Sequence, residues 1–291
     1  MAATHELHST PSQLPTLYLA LDLGWHEWKL AFTTGVTQKP RMRSIGARDL
    51  HALELEISRA KARFGLSDET PLSCCYEAGR DGFWLHRYLL SRGVESIVVD
   101  ASSIEVNRRK RRAKTDRLDA ASLVVMLIRW HSGERKLWSI VQVPDPEDED
   151  RRQLHRELIT LTGERTEHVN RIKGLLASIG LAIAVDRRLP RRLDGLKQWD
   201  DKPLPPDLRA RILREYDRWL LVDEQIRSLE LEQVRRIRSD VTPGAESIRR
   251  LFGLRGVGLR GAWVLHHEFF AWRSIRNRRQ LASLSGLAPT P

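Results

Sequence analysis

After a polar arm rich in Thr, Ser and Pro, the chain falls into short apolar runs separated by turn residues. Leu17 to Leu23 is an apolar run that ends at Gly24, Trp28 to Thr33 reads as a second strand, and Arg41 to Ile45 as a third. Helical spacing then takes over from about Asp49 to Phe64. It is followed by a strand over Leu72 to Tyr76, a helix over Phe83 to Ser91, a strand over Ser96 to Val99 and a long helix from about Thr115 to Arg129. The order is βββαβαβα, and its three leading strands predict a meander.

The second half reads differently. Pro144, Pro146 and a run of acids through Asp150 make a linker and a helix start. Leu154, Leu158, Leu161, Val169, Ile172, Leu176 and Ile179 then fall at helical spacing and form one stripe. A break containing Pro190, Pro203, Pro205 and Pro206 precedes a second long helix from about Asp207 to Arg238, with Leu208, Ile212, Tyr216, Trp219, Ile226 and Leu229 on its stripe. Two charged helices with narrow stripes form an antiparallel pair, a coiled-coil dimer contact or an ordinary helical subdomain. After Pro243-Gly244 the pattern is a compact helical segment with Gly-bounded turns, in which Trp263, Phe269, Phe270 and Trp272 read as core. The division is a flexible arm over 1–15, an α/β domain over 16–142, a helical, coiled-coil-like region over 143–242 and a helical C-terminal domain over 243–291.

Composition narrows the partners. The 49 Lys and Arg outnumber 38 Asp and Glu, for a formal net charge of +11, and the sequence pI is near 10.1. Such a balance favours polyanions, nucleic acid above all. The longest apolar run, Ala120 to Ile128, is far short of the roughly 20 residues of a spanning helix. Cys74 and Cys75 stand adjacent in a strand with neither a disulfide framework nor a zinc spacing, which fits a reducing cytoplasm. The N-terminal arm lacks a signal pattern, so the chain is expected to be cytoplasmic. His266-His267 reads as helix surface or core, since no acid and His at metal-ligand spacing accompany it.

The candidate chemistry lies in carboxylates. The element order matches a ribonuclease H-like fold, a mixed sheet flanked by helices, as an analogy at the level of fold. In such a sheet Asp22, near the end of the first strand, and Glu77, just after the fourth, point at one edge of the same face. Asp116 and Asp119 are three apart and share a side of the following helix. Four such acids suit Mg²⁺ or Mn²⁺, hard cations that take oxygen ligands and assist phosphoryl transfer. Each acid alone also has a plain structural reading, as a helix-start charge or a strand-end turn residue. The setting favours chemistry: Arg108, Arg109, Lys110, Arg111 and Arg112, with Lys114 close behind, supply the cations of a phosphate-backbone channel or, more plainly, a solvated basic loop. Arg255, Gly256 and Gly258 read as a helix-hairpin-helix turn, where glycines admit phosphate beside a helix start and Arg255 and Arg260 add charge. A tight turn needing Gly for conformation alone is the equal alternative.

These residues resemble the DEDD transposases of the insertion sequence 110 family, whose N-terminal domain is similar to RuvC Holliday-junction resolvases. The matching segments are ALDLG (20–24), YEAGRDGFWLHRYL (76–89) and AKTDRLDAASL (113–123). VPDPEDEDRRQLHRELITLTGERTEHVNRIKGLLASIGL (143–181) looks like the family's long middle helix, and LFGLRGVGLRGAWVLHHEF with RRQLASLSGLAPTP like the start of its C-terminal domain. The resemblance puts the family's acidic tetrad on Asp22, Glu77, Asp116 and Asp119. It implies a RuvC-like domain, a Mg²⁺ (or Mn²⁺) cofactor, cutting and rejoining of double-stranded DNA at element ends, and a structured guide RNA; a homo-oligomer, dimer or tetramer, formed through the middle helices is the simplest way to bring two duplexes together.

The family also supplies a nucleophilic serine shortly after a motif like Gly286-Leu287-Ala288-Pro289, and the sequence ends at Pro291. Ser283 and Ser285 precede the motif inside a helix, so neither takes that role, and a C-terminally truncated member with no nucleophilic serine is expected. Two other readings fit the same residues: a junction-resolving metal nuclease that uses water as nucleophile, and a non-catalytic nucleic-acid-binding remnant.

Overall fold

The computed structural model describes residues 15–79, 82–104, 120–239 and 243–287. The chain divides into two compact units, one running to Val143 and the other beginning at Pro144.

The first unit is built on a five-stranded sheet: β1 (Leu17–Leu23), β2 (Glu27–Thr33), β3 (Arg41–Gly46), β4 (Leu72–Glu77) and β5 (Glu95–Val99). The spatial order is β3-β2-β1-β4-β5. β1, β2 and β3 pair antiparallel, the meander the sequence predicts, whereas β4 runs parallel to β1 and β5 parallel to β4. The two parallel steps need crossovers. α1 (Leu50–Arg63) carries the chain from β3 to β4 and α2 (Trp84–Ser91) from β4 to β5.

Both faces of the sheet are covered, which explains why β1 reads as a continuous apolar run and not as an alternation. Leu17, Leu19 and Leu21, with Trp28, Leu30, Phe32, Cys74, Tyr76 and Val98, face α1 and α2, where Leu53, Ala60, Leu85 and Leu89 meet them. The alternate positions Ala20, Ala31, Cys75, Ile97 and Val99 face α3 (Ala120–His131) through Leu123, Val124 and Leu127. Small residues at the centre of this second face let the helix lie close. The Asp49 carboxylate caps α1 by accepting from the Ala52 N–H at 2.9 Å. At the β5 edge, the Val141 N–H donates to the Val98 carbonyl at 2.8 Å and the Asp100 N–H to the Ser139 carbonyl at 3.0 Å, so an extended segment covers what would be an open strand. The helix expected from about Thr115 is described from Ala120 onward; residues 115–119 lie outside the described part.

The second unit is helical. α4 (Pro146–Arg151) leads into α5 (Gln153–Ala177), which returns through α6 (Leu189–Asp194) to the long α7 (Pro206–Ser239). The N-terminal half of α5 (Leu154, Leu158, Leu161) packs on the C-terminal half of α7 (Val222, Ile226). Ile172 and Leu176, near the other end of α5, pack on Ile212, Tyr216 and Trp219. Of the readings open for the two stripes, the chain thus forms the antiparallel pair, and the stripes are spent on each other. Ile159, Leu221 and Leu231 remain exposed on these helices. α8 (Pro243–Phe252), α9 (Leu259–Val264), a π-helical turn (Leu265–Phe270) and α10 (Arg278–Leu284) complete the unit. Trp263 and Trp272 are core as expected, but Phe270 is exposed. Among the described residues, no helix is long and apolar enough to cross a membrane.

Candidate functional site

Asp22 and Glu77 end adjacent parallel strands. Leu21 on β1 is in register with Tyr76 on β4, so the next residue on each strand, Asp22 and Glu77, reaches the same level. Tyr18↔Ser73 and Ala20↔Cys75 precede them at the same parity, which puts both carboxylates on the face covered by α3. Neighbouring strands lie ~4.8 Å apart, so the two acids start one strand spacing from each other. Both are half-buried.

α3 is oriented along this face by two contacts. The Cys75 Sγ lies 3.8 Å from the Leu123 carbonyl near the start of the helix. The Ser73 Oγ lies 2.8 Å from His131 Nε2 at its end. The helix therefore begins at the carboxyl ends of β1 and β4, where the two acids stand, and Ala120 is buried there. Burial, with the nearby negative charge of Glu77 second, pushes the Cys75 thiol far up, so it stands as a neutral core group and not as a nucleophile.

Two neighbours of this edge were not marked by the sequence. Lys29 pairs with Asp22 across the antiparallel ladder and shares its face. Trp25, half-exposed on the turn just after Asp22, lies under the Arg48 guanidinium at 4.9 Å. Arg48 sits 23 residues further on with φ 67, a left-handed conformation uncommon for a non-glycine residue. Register and tertiary approach bring these groups together, and neither leaves a local signal. Gly24 does leave one: a Cβ there would stand 2.3 Å from the Glu27 carbonyl oxygen, so the turn that follows Asp22 requires glycine.

Asp116 and Asp119, and the basic run Arg108 to Arg112 with Lys114, lie outside the described residues. Among the described residues no group of three or more His, Cys, Asp or Glu is placed to hold a metal. The described part of the acidic site is the pair Asp22 and Glu77.

In the second unit the candidate phosphate-binding turn joins α8 to α9. Gly256 adopts φ +87, a conformation that favours glycine, whereas Gly258, the N-cap of α9, has ordinary extended backbone that any residue could adopt. Arg255 is exposed. Arg260 is paired with Glu230 at 2.7 Å, so only part of its charge is offered outward.

A buried ionic cluster of this unit centres on Glu268. Its carboxylate accepts from His155 Nε2 at 2.8 Å, from Arg156 Nε at 2.9 Å and from Arg152 Nη2 at 2.9 Å. Burial opposes ionisation, but these hydrogen bonds outweigh it and hold the carboxyl well below its usual range. Burial, then His266 and His155, drive His267 down to about 3, so it is neutral and packs between Trp263 and His155. This cluster fastens the π turn to α5. Of the two readings open for His266-His267, surface or core, the structure gives core.

No family model matches the chain. Relatives place it nonetheless. It is 37% identical over 309 aligned residues to the protein named "Putative transposase y4rJ" of Sinorhizobium fredii, an alignment covering 100% of this chain and 77% of that protein. A second Sinorhizobium fredii protein, "Putative transposase y4qE", is 29% identical over 247 residues, 81% of this chain and 56% of the relative. The "Transposase for insertion sequence element IS1533" of Leptospira borgpetersenii is 39% identical over 117 residues, 40% of this chain and 32% of its own length. The chain belongs to the transposase family that the first of these relatives represents. It spans about three quarters of the first relative and smaller shares of the other two.

Proposed function

We propose that the chain is a DNA-cleaving and rejoining transposase of the insertion sequence 110 type, whose first unit is a ribonuclease H-like, RuvC-like domain with an Asp22, Glu77, Asp116 and Asp119 tetrad. The observation that carries the reading is the juxtaposition of Asp22 and Glu77 at one level of adjacent parallel strands and on one face. Two carboxylates one strand apart fit a divalent ion with oxygen ligands near 2.1 Å, such as Mg²⁺ or Mn²⁺. Asp119 immediately precedes Ala120, the first described residue of the helix that starts at this edge, which supports bringing the second pair of acids to the first. A bound divalent ion supplies charge neutralisation at a scissile phosphate.

The chain's own residues do the rest. Asp22 and Glu77 fix the phosphate-facing edge, and Lys29 and the run Arg108 to Arg112 with Lys114 offset the charge of the acids and hold the DNA backbone. Arg255, Gly256, Gly258 and Arg260 form a second backbone contact in the other unit. Double-stranded DNA and a structured guide RNA are the proposed partners. A homo-oligomer brings two duplexes together, using surfaces other than the α5 and α7 stripes. No serine of this chain is assigned as nucleophile.

The test is Mg²⁺-dependent binding of element-end DNA, with Asp22→Asn and Glu77→Gln beside the parent. The parent should bind more tightly with Mg²⁺ than with a chelator, and each variant should lose that difference while keeping metal-independent binding. Variants that respond to Mg²⁺ like the parent would remove the carboxylate pair from the mechanism.

A further inference from the structure

Between α6 and α7 the chain makes a small hairpin whose tip is Trp199, 88% exposed and the most exposed tryptophan among the described residues. The turn is held tightly. The Asp201 N–H donates to the Gln198 carbonyl at 3.1 Å and the Gln198 N–H to the Lys202 carbonyl at 2.8 Å, while Lys197 and Pro203 form an isolated bridge. The Gln198 side-chain amide donates to the Pro203 carbonyl at 3.0 Å, and Lys202 pairs with Asp200 at 2.7 Å. On the inner side Leu196 and Leu204 anchor both arms in the core cluster of α6 and α7. A turn this well tied keeps a large apolar ring in water, where burial would otherwise be favoured.

The surroundings are basic. Over residues 186–214 there are nine Lys and Arg against five Asp. Arg188, which caps the start of α6, Arg191 on α6, and Arg211 and Arg214 on α7 are all exposed. No ion pair involving any of the four is found among the described residues. An indole pre-set in water on a segment rich in exposed cations is the combination that unpaired nucleic acid recognises, with the bases stacking on the ring and the phosphates meeting guanidinium groups. A duplex offers no such partner, because its bases already stack on each other.

We propose that the Trp199 turn is a stacking platform for an unpaired nucleobase, so that this end of the helical pair takes single-stranded or looped nucleic acid. The proposal rests on the nucleic-acid reading above and adds the strand state and the residue that senses it. A second copy of the chain, with Trp199 as a protein contact, is the competing occupant.

The test uses the full chain and fluorescence anisotropy with a 20-nucleotide single-stranded probe and a duplex of the same length, for the parent, Trp199→Ala and Trp199→Phe. The ring is on the surface, so both variants keep the core. Loss of one stacked base corresponds to roughly five- to 150-fold weaker binding. Trp199→Ala should show that loss on the single strand alone, and Trp199→Phe should keep most of the affinity. Equal single-strand affinity of parent and Trp199→Ala, with duplex binding intact, overturns the stacking role and leaves the nucleic-acid reading standing. A parent that binds neither probe overturns both. Unchanged single-strand binding together with loss of self-association in sedimentation overturns the proposal in favour of the protein contact.

Discussion

Replacing Glu268 by Gln tests whether the buried ionic cluster holds the C-terminal segment to α5. The substitution keeps the shape of the side chain and removes its charge, leaving Arg152, 7% exposed, and His155, 2% exposed, without their acidic partner. Arg152 Nε has no hydrogen-bond partner among the described residues, and the guanidinium keeps the Trp272 face at 4.9 Å. Arg156 is half-exposed and contributes little. Breaking a buried pair from one side costs roughly 3–5 kcal/mol, and a cluster with one exposed member belongs near the lower end, about 3 kcal/mol. For a unit of this size each kcal/mol moves the midpoint about 2–4 °C, so the thermal transition of the second unit should fall by roughly 6–12 °C. Differential scanning calorimetry measures it, with Arg156→Ala as a control that shifts little.

The pH dependence follows from the direction of the shift. The folded carboxyl is held below the ordinary value of 4.5, so its stabilisation is fully present above about pH 4.5 and is lost as pH falls toward the lowered folded value. The gap between parent and Glu268→Gln should be constant from pH 8 to 5 and narrow below that. A variant melting within a degree of the parent at pH 7 refutes the latch.

Two further outcomes can be measured on the same material. His267 is lowered from 6.5 to about 3 in the fold, so the unfolded chain takes up a proton first; stability should fall by about 1.5–2 kcal/mol between pH 6.5 and 5, and His267→Gln should flatten that slope in urea titrations, an unchanged slope counting against it. Gly24→Ala forces the turn beside Asp22 to move, since the new methyl meets the Glu27 carbonyl at 2.3 Å; a loss of about 1–3 kcal/mol is expected in the same titration, and an unshifted midpoint would mean that the turn tolerates the methyl.

Much of the architecture was legible because the physics that fixes it is local. Apolar runs of strand length bounded by Gly24 and polar loops gave β1, β2, β4 and β5 within a residue or two, and the α5 and α7 stripes followed from helical spacing. The neighbouring placement of Asp22 and Glu77 could be anticipated from their strand-end positions, given a parallel pairing of β1 and β4. What stayed hidden depends on distance along the chain. Glu268 meets His155 113 residues away, and Lys29 stands opposite Asp22 through antiparallel register alone. The choice between an intramolecular pair and a dimer contact for the two stripes was also closed to periodicity, because the same apolar face serves either. Phe270 was misread because aromatic character alone put it in the core, whereas it ends a π turn with its ring exposed. Asp116, Asp119 and the Arg108 to Arg112 run lie outside the described residues, so their place in the site rests on the proposal.

The central claim, a divalent-metal site built on the β1 and β4 carboxylates, is tested most directly by Mn²⁺ binding measured by calorimetry on the parent, Asp22→Ala, Glu77→Gln and Asp119→Ala. The account expects saturable binding by the parent and its loss in each variant, with circular dichroism unchanged. A parent that binds no Mn²⁺ in the presence of bound DNA, or variants that bind it as the parent does, would contradict the account.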